Sequence, residues 1–238
     1  MASQKKQSVL NGAVILMVAV VSVKVIGALF KMPLTDMLGT VGRGYFQSAY
    51  EIYTPIFAIS MAGLPVAVSR MVAENVALSK YRDARAVFNV SKRIFLIVGT
   101  VGTLIIFIVA YPYAYFVAGL KSIPAILCVA PSVLFCCYMS AYRGYYEGLR
   151  NMTPTAISQV IEALGKLVVG LLLAKTVMSV GASQYAKGMA ASGNVSATVF
   201  GNQVTSLTEA NSVIVPWAAA GAVLGVTVGS IASLLFLM

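Results

Sequence analysis

Long apolar runs of helix length dominate this sequence, and most of its charged side chains lie in the short segments between them. Hydrophobic residues make up 59% of the chain and charged residues 10%, whereas a soluble domain carries roughly 25% charged residues. Each run is long enough to cross the roughly 30 Å hydrocarbon layer of a bilayer as a helix. None shows the alternation of period two that is typical of a membrane barrel. The sequence therefore predicts an all-α integral membrane protein.

Six transmembrane helices can be placed on these runs, so we predict that residues 1–238 form one six-transmembrane-helix bundle. Pro55, Gly63 and Pro65 predict a kink or a local opening in the second span. The polar segment 179–211 is predicted to be a loop on the outer face, and segment 80–93 an amphipathic linker along the lipid headgroups. The predicted spans cover about residues 8–30, 44–72, 93–118, 123–147, 154–178 and 213–238.

The net charge of +10 indicates membrane orientation and not nucleic-acid binding, because the basic residues do not form a single patch. Ten lysines and arginines flank one side of the predicted bundle and five flank the other. Positively charged loops stay in the cytoplasm, so we predict that the N-terminus and segment 80–93 are cytoplasmic. The richer side holds Lys5, Lys6, Arg70, Lys80, Arg82, Arg85, Lys92, Arg93, Arg143 and Arg150.

Metal, cofactor and catalytic chemistry find no support in the residue types. The chain has no histidine, and Cys128, Cys136 and Cys137 all lie in one apolar run, so a zinc site is not predicted. No glycine-rich phosphate loop of the Walker kind is present, which argues against ATP hydrolysis. The seven carboxylates are scattered. We therefore predict no cofactor, no metal and no enzymatic activity.

Two lysines on the first span are the strongest candidates for substrate binding. Lys24 and Lys31 are seven residues apart, which is two helical turns, so they share one face with Gly27 between them. A lysine inside a span costs roughly 2.5–3.5 kcal/mol on insertion scales and should face a wet cavity or a partner. Two cations on one face suit an anionic substrate such as a phosphate or pyrophosphate. The alternative is that these lysines snorkel to the headgroups, above all Lys31.

Three further charged residues are candidates for the same site. Glu51 lies in a polar and aromatic stripe of the second span and could pair with Lys24, bind a coupling cation or meet sugar hydroxyls; alternatively, it is solvated near the headgroups. Glu162 and Lys166 are four residues apart on the fifth span, the favourable order for an ion pair on one helix. Such a pair is either structural or part of a polar cavity wall that includes Lys24.

The sixth predicted span carries Gly221, Gly225 and Gly229 at intervals of four. This small-residue ladder lets another helix approach closely, so we interpret it as a packing surface. The span runs to Met238 with no polar flank, whereas a membrane helix normally ends in charged or aromatic anchors. We expect from this that the chain is part of a longer protein.

Several segments resemble the multidrug/oligosaccharidyl-lipid/polysaccharide exporter superfamily, in its branch of stage V sporulation protein B and MurJ-like flippases. The resemblance covers essentially the whole chain except segment 179–211. The most specific segment runs from Tyr142-Arg143-Gly144-Tyr145-Tyr146-Glu147-Gly148 to Glu162. The other similar segments are Lys24-Val25-Ile26-Gly27 through Leu38-Gly39, then 49–53, 62–70 and 219–230.

The resemblance implies two six-helix lobes around a central cationic cavity, alternating access without ATP, and a place in the bacterial cytoplasmic membrane. The implied substrates and partners are undecaprenyl-pyrophosphate-linked peptidoglycan or polysaccharide precursors and the membrane lipids. Lys24 falls where the family places basic cavity residues, although the MurJ branch typically has arginine there. The second lobe is absent, so we expect either a missing C-terminal lobe or self-association.

Two other functions remain open at the level of sequence. A drug or cation antiporter of the same fold should line its site with carboxylates and aromatic rings, whereas the charge on the first span is Lys24. A non-transporting membrane scaffold could use the glycine ladder to bind a partner.

Overall fold

The computed structural model describes residues 9–61, 63–191 and 196–238, and it is an all-helical bundle with one small hairpin. Lys5 and Lys6, which entered the charge count above, lie outside these residues. One π-helical turn (114–118) and one 3-10 turn (120–122) join the third helix to the fourth. The helices are α1 (Val9–Met61), α2 (Leu64–Ala77), α3 (Tyr81–Tyr113), α4 (Ile123–Gly148), α5 (Thr153–Ala191) and α6 (Leu207–Leu237), and the strands are β1 (Ala197–Val199) and β2 (Asn202–Val204).

The prediction of an all-α membrane bundle is confirmed, but the six predicted spans do not correspond to six separate membrane-length stretches. The described residues contain five helical stretches long and apolar enough to cross a membrane, the first running from Leu10 to Ala77. The first two predicted spans are not separated by a loop, because helix α1 continues through residues 31–43. The only non-helical backbone inside α1 is at Gly39, where φ is 65° and ψ is −173°.

Helix α1 folds back on itself at Gly39. The rings of Phe30 and Phe46 are 5.7 Å apart between centroids, although sixteen residues of a straight helix would separate them by about 24 Å. A positive φ of this size is unfavourable for any residue with a Cβ, so glycine makes the reversal possible. The chain therefore runs along the bundle twice within a single helical element.

The predicted opening of the second span occurs at Gly63. Its backbone is left-handed, with φ of 73°, and α2 starts immediately after it with Pro65 in the first turn. Proline suits that position, because the first amide groups of a helix have no intrahelical acceptor. The end of α4 packs closely on α2, since a Cβ added to Gly144 would lie 2.8 Å from the carbonyl oxygen of Pro65.

Segment 80–93 is not a separate linker. It forms the first turns of α3, which continues without a break to Tyr113. The 33 residues of α3 extend over about 50 Å, so part of the helix must project beyond the hydrocarbon layer. Large apolar side chains along it are exposed, with Ile97 63% exposed and Ile108 73% exposed, as expected of a helix surface that contacts lipid.

The predicted outer loop 179–211 is largely ordered secondary structure. Helix α5 continues to Ala191, β1 and β2 form an antiparallel hairpin, and α6 begins at Leu207. The hairpin buries Val199 and Val204 against Ile214 of α6. Its small apolar core explains why a polar, small-residue-rich segment is not an irregular loop.

The glycine ladder of α6 packs against α5 inside the chain. A Cβ added to Gly229 would lie 2.6 Å from the carbonyl oxygen of Glu162, and one added to Gly165 would lie 2.6 Å from the Cα of Gly229. The backbones of the two helices are therefore nearly in contact. The packing role of the ladder is confirmed, and α5 covers it, so it is not a free surface for a partner.

Candidate substrate-binding cavity

A cavity of about 460 Å³ opens between α1, α5 and α6. Both halves of α1 contribute to it because the helix folds back at Gly39. Lys24 lies about 22 Å along α1 from Val9, at about 1.5 Å per residue, which places it well inside the membrane-spanning part of the helix. The polar side chains of the lining are Lys24, Tyr50, Tyr53, Gln159, Glu162 and Lys166.

The two lysines predicted on one face of the first span have different surroundings. Lys24 lines the cavity beside Gly27, and in the isolated chain it is exposed. Lys31 lies outside the cavity wall, beside a separate shallow depression with Asp36 and Arg43. The spacing of seven residues placed them on one side of α1, but only Lys24 reaches the cavity itself.

Lys166 projects from α5 among three aromatic rings of α1. Its Nζ is 4.6 Å from the ring centroid of Tyr50, 5.1 Å from that of Phe30 and 5.9 Å from that of Phe46. The electron-rich faces of these rings attract the ammonium group, by roughly 0.5–2 kcal/mol for a favourable contact. We refer to Phe30, Phe46 and Tyr50 as the aromatic cage of Lys166.

The predicted ion pair between Glu162 and Lys166 is not formed. Glu162 Oε2 instead accepts a hydrogen bond from Arg143 Nη2 of α4 at 3.0 Å. Arg143 Nε also donates to Ser158 Oγ at 2.9 Å. An arginine offers several donors in a planar arrangement and binds a carboxylate more firmly than a flexible lysine does. Glu162 is therefore held toward α4, while the cage holds Lys166.

Arg143 was counted above among the charges that flank the bundle and was not predicted as part of the site. It lies inside α4, and its side chain is 16% exposed. One signal for its role was already in the sequence: Arg143 falls within the predicted span 123–147, where an unpaired charge would be costly.

A small polar cluster continues from Glu162 into the core. Cys136 Sγ lies 3.7 Å from Glu162 Oε1 and 3.3 Å from Ser230 Oγ of α6. The hydroxyl of Tyr53 donates to Cys136 Sγ at 3.8 Å. These contacts link α1, α4, α5 and α6 around one carboxylate.

Glu51 stands apart from the cavity. It is exposed, and its Oε2 accepts a hydrogen bond from the hydroxyl of Tyr113 at 3.1 Å. It does not pair with Lys24, since among the described residues the ion pairs are Arg70–Glu74 and Arg143–Glu162. The aromatic residues beside Glu51 in the sequence, Tyr50 and Tyr53, are the ones that reach the cavity.

The fold and the cavity define a multi-pass membrane protein whose helices enclose a basic, partly aromatic site. The family model of the polysaccharide biosynthesis proteins matches residues 9–205. The chain belongs to this family.

Curated relatives of the chain come from Bacillus subtilis (strain 168). The lipid II flippase MurJ is 27% identical over 168 residues, which is 67% of this chain and 31% of MurJ. Stage V sporulation protein B is 26% identical over 163 residues, 68% of this chain and 32% of the relative. The uncharacterized membrane protein YabM is 26% identical over 187 residues, 79% of this chain and 34% of the relative. The chain thus matches about a third of the length of these relatives, and no solved structure matches it.

Proposed function

We propose that this chain is the N-terminal six-pass lobe of a flippase for lipid-linked, pyrophosphate-bearing peptidoglycan or polysaccharide precursors. The observation that carries the proposal is the cavity between α1 and α5, where Lys24 and Lys166 both reach the wall. The family match and the similarity to a lipid II flippase support the same substrate class. The protein would act in the bacterial cytoplasmic membrane, with its N-terminus in the cytoplasm.

The charges around the cavity favour an anion. Lys24 and Lys166 contribute two positive charges, and the negative charge of Glu162 is balanced by Arg143 at 3.0 Å. Ammonium groups act as compact point charges toward phosphate and do not form the bidentate contacts of arginine. A pyrophosphate between the two lysines would meet this charge, and Gln159 and Tyr53 would offer hydrogen bonds to attached sugars.

The exposure of Lys24 supports the proposal that a second bundle completes the site. Lys24 is exposed on the isolated chain although it lies well inside a spanning helix. A charged side chain at that depth needs a water-filled cavity or a partner. Alternating access places the substrate between two bundles that move against each other, so a C-terminal lobe or a second copy would cover Lys24.

Binding by the purified chain in lipid nanodiscs tests the proposal. A short-chain polyprenyl pyrophosphate should bind much more tightly than the polyprenyl alcohol of the same length, because only the pyrophosphate meets the lysines. Combined replacement Lys24→Ala and Lys166→Ala should remove the difference. Equal affinity of the unsubstituted chain for the pyrophosphate and the alcohol would refute an anion-binding cavity.

A further inference from the structure

Two opposite charges that are four residues apart on α5 are held apart by their neighbours. Glu162 and Lys166 occupy successive turns of one helix face, where such pairs normally attract each other. In this structure Arg143 Nη2 binds the carboxylate at 3.0 Å, and the aromatic cage surrounds the ammonium group at 4.6–5.9 Å.

The carboxylate is held from the side of α4. Arg143 and Cys136 lie seven residues apart on α4, hence on the same side of that helix, and they meet the two oxygens of Glu162. Ser158 lies one turn earlier on α5, and its Oγ accepts a hydrogen bond from Arg143 Nε at 2.9 Å, which fixes the guanidinium group. Ser158 is in turn held by α6, because Ser233 Oγ donates to its carbonyl oxygen at 2.7 Å. Arg143 does not line the cavity, whereas Glu162 and Lys166 do.

We propose that Arg143 is a positioning residue that keeps Glu162 away from Lys166, so that the Lys166 ammonium group stays available for an anionic ligand. Without Arg143, the carboxylate would turn to its nearest cation on the same helix and cancel that charge. The inference rests on the proposed function for the nature of the ligand, but the placement of Glu162 can be tested without any ligand.

Carbodiimide coupling tests the placement. Dicyclohexylcarbodiimide enters membranes and activates a carboxyl group, which then forms an amide with an amine in contact with it. In the full chain, Arg143→Gln should give a Glu162–Lys166 amide that mass spectrometry detects as a loss of water within one peptide. The unsubstituted chain and Arg143→Lys, which retains a cation beside Glu162, should give little of it. Equal coupling in all three would overturn the proposal.

Affinity for a short-chain polyprenyl pyrophosphate tests the consequence. Arg143→Gln should bind roughly tenfold more weakly, which corresponds to about 1.4 kcal/mol, and Arg143→Gln/Glu162→Gln should return close to the original affinity. Glu162→Gln alone should bind more tightly, because it leaves the positive charge of Arg143 unbalanced. If the double variant stays as weak as Arg143→Gln, the residue acts by another route and the inference is wrong.

A matched control and a folding check separate the outcomes. Arg70→Gln removes an arginine from an exposed pair with Glu74 and should change neither coupling nor affinity. If Arg143→Gln does not fold, the affinities of the double variant and of Glu162→Gln still test the proposal. Neither of these variants leaves an unpaired carboxylate beside α4. If the unsubstituted chain fails to prefer the pyrophosphate, the proposed function fails while the coupling result still settles the position of Glu162.

Discussion

The lysines of the cavity show how an ammonium group can be kept inside a membrane protein by two different means. Lys166 is partly buried, and three aromatic rings replace part of its hydration. Lys24 has only the open cavity beside it and remains exposed. We therefore expect Lys24 to depend on water and ligand, and Lys166 to depend on its cage.

Substitutions of Lys24 should affect ligand binding without affecting membrane insertion. Lys24→Ala removes one of two cavity cations, and we expect the affinity for a polyprenyl pyrophosphate to fall roughly tenfold, or about 1.4 kcal/mol. Lys24→Glu should be worse, since it adds repulsion toward phosphate. The measurement is binding in nanodiscs, with insertion checked by resistance to carbonate extraction.

Lys31 provides the matched control for Lys24. It lies two turns further along the same helix but outside the cavity wall, and its charge acts on the site only through Lys166, so Lys31→Ala should weaken binding much less than Lys24→Ala. Full affinity in Lys24→Glu would contradict the assignment and mean that the lysine only snorkels.

At the scale of helices, the close contact of α5 and α6 is the packing feature that positions the site. Gly229 touches the backbone at Glu162, and Gly225 touches the backbone at Gly170. The segment of α5 that carries Glu162 and Lys166 is thus fixed by backbone packing on α6. Small residues permit this approach, which gives van der Waals contact that lipid tails cannot provide.

Gly229→Ala should destabilise the chain by roughly 1–3 kcal/mol, the usual cost of overpacking. Its Cβ would lie 2.6 Å from the carbonyl oxygen of Glu162, and backbone cannot move aside as a side chain can. Thermal unfolding in detergent measures the effect. Gly44→Ala is the control, because that helical glycine has nothing within 4 Å of its added Cβ. An equal melting temperature for both variants would contradict the close contact.

Much of the fold could be predicted, because a helix that crosses the bilayer needs an apolar run of about 20 residues. The apolar runs predict the spanning helices, and the spacing of Gly221, Gly225 and Gly229 predicts a close packing surface. A loop was predicted between the first two spans, where α1 instead reverses direction at Gly39. Nothing in the sequence of residues 31–43 distinguishes a loop from a sharp bend within a helix. The hairpin 197–204 was missed because its few apolar residues form a core only together with side chains of α5 and α6.

The site was predictable only in part. Charges within apolar runs identified Lys24, Glu162 and Lys166, which line one cavity. Sequence spacing alone favoured the pair on one helix, and the actual partner of Glu162 comes from α4, nineteen residues away. Lys31 and Glu51 were predicted as site residues because they are charged and lie on the first two predicted spans. Whether a residue lines the cavity also depends on the direction of its side chain, which the sequence does not give.

For the whole molecule, the charge asymmetry predicts which end of the bundle faces the cytoplasm. Ser183 on α5 and Ser79 between α2 and α3 are both exposed. After substitution by cysteine, position 183 should react with a membrane-impermeant maleimide added outside intact cells, and position 79 should not. The unsubstituted chain is the control for its own cysteines. Outside labelling at position 79 would reverse the orientation.

We also expect that this chain does not flip lipid by itself. One bundle supplies one wall of the cavity, and alternating access requires a second wall that moves against it. The chain, reconstituted in liposomes with a fluorescent polyprenyl-pyrophosphate lipid, should give no flipping above protein-free vesicles. Flipping by the chain alone would contradict this expectation, and cross-linking would show whether a dimer was responsible. Such a dimer would need a surface other than the ladder that α5 covers.

The reversal of α1 at Gly39 also bears on the order in which the protein is built. Translation produces Lys24 and both halves of α1 well before α5 and α6, which form the other walls of the cavity beside this lysine. Before α5 and α6 are inserted, the two halves of α1 expose the Lys24 ammonium group to lipid or to an insertion factor. Exposure to lipid costs roughly 2.5–3.5 kcal/mol on insertion scales. We therefore expect Lys24 to destabilise an inserted intermediate that contains α1 but not yet α5 and α6.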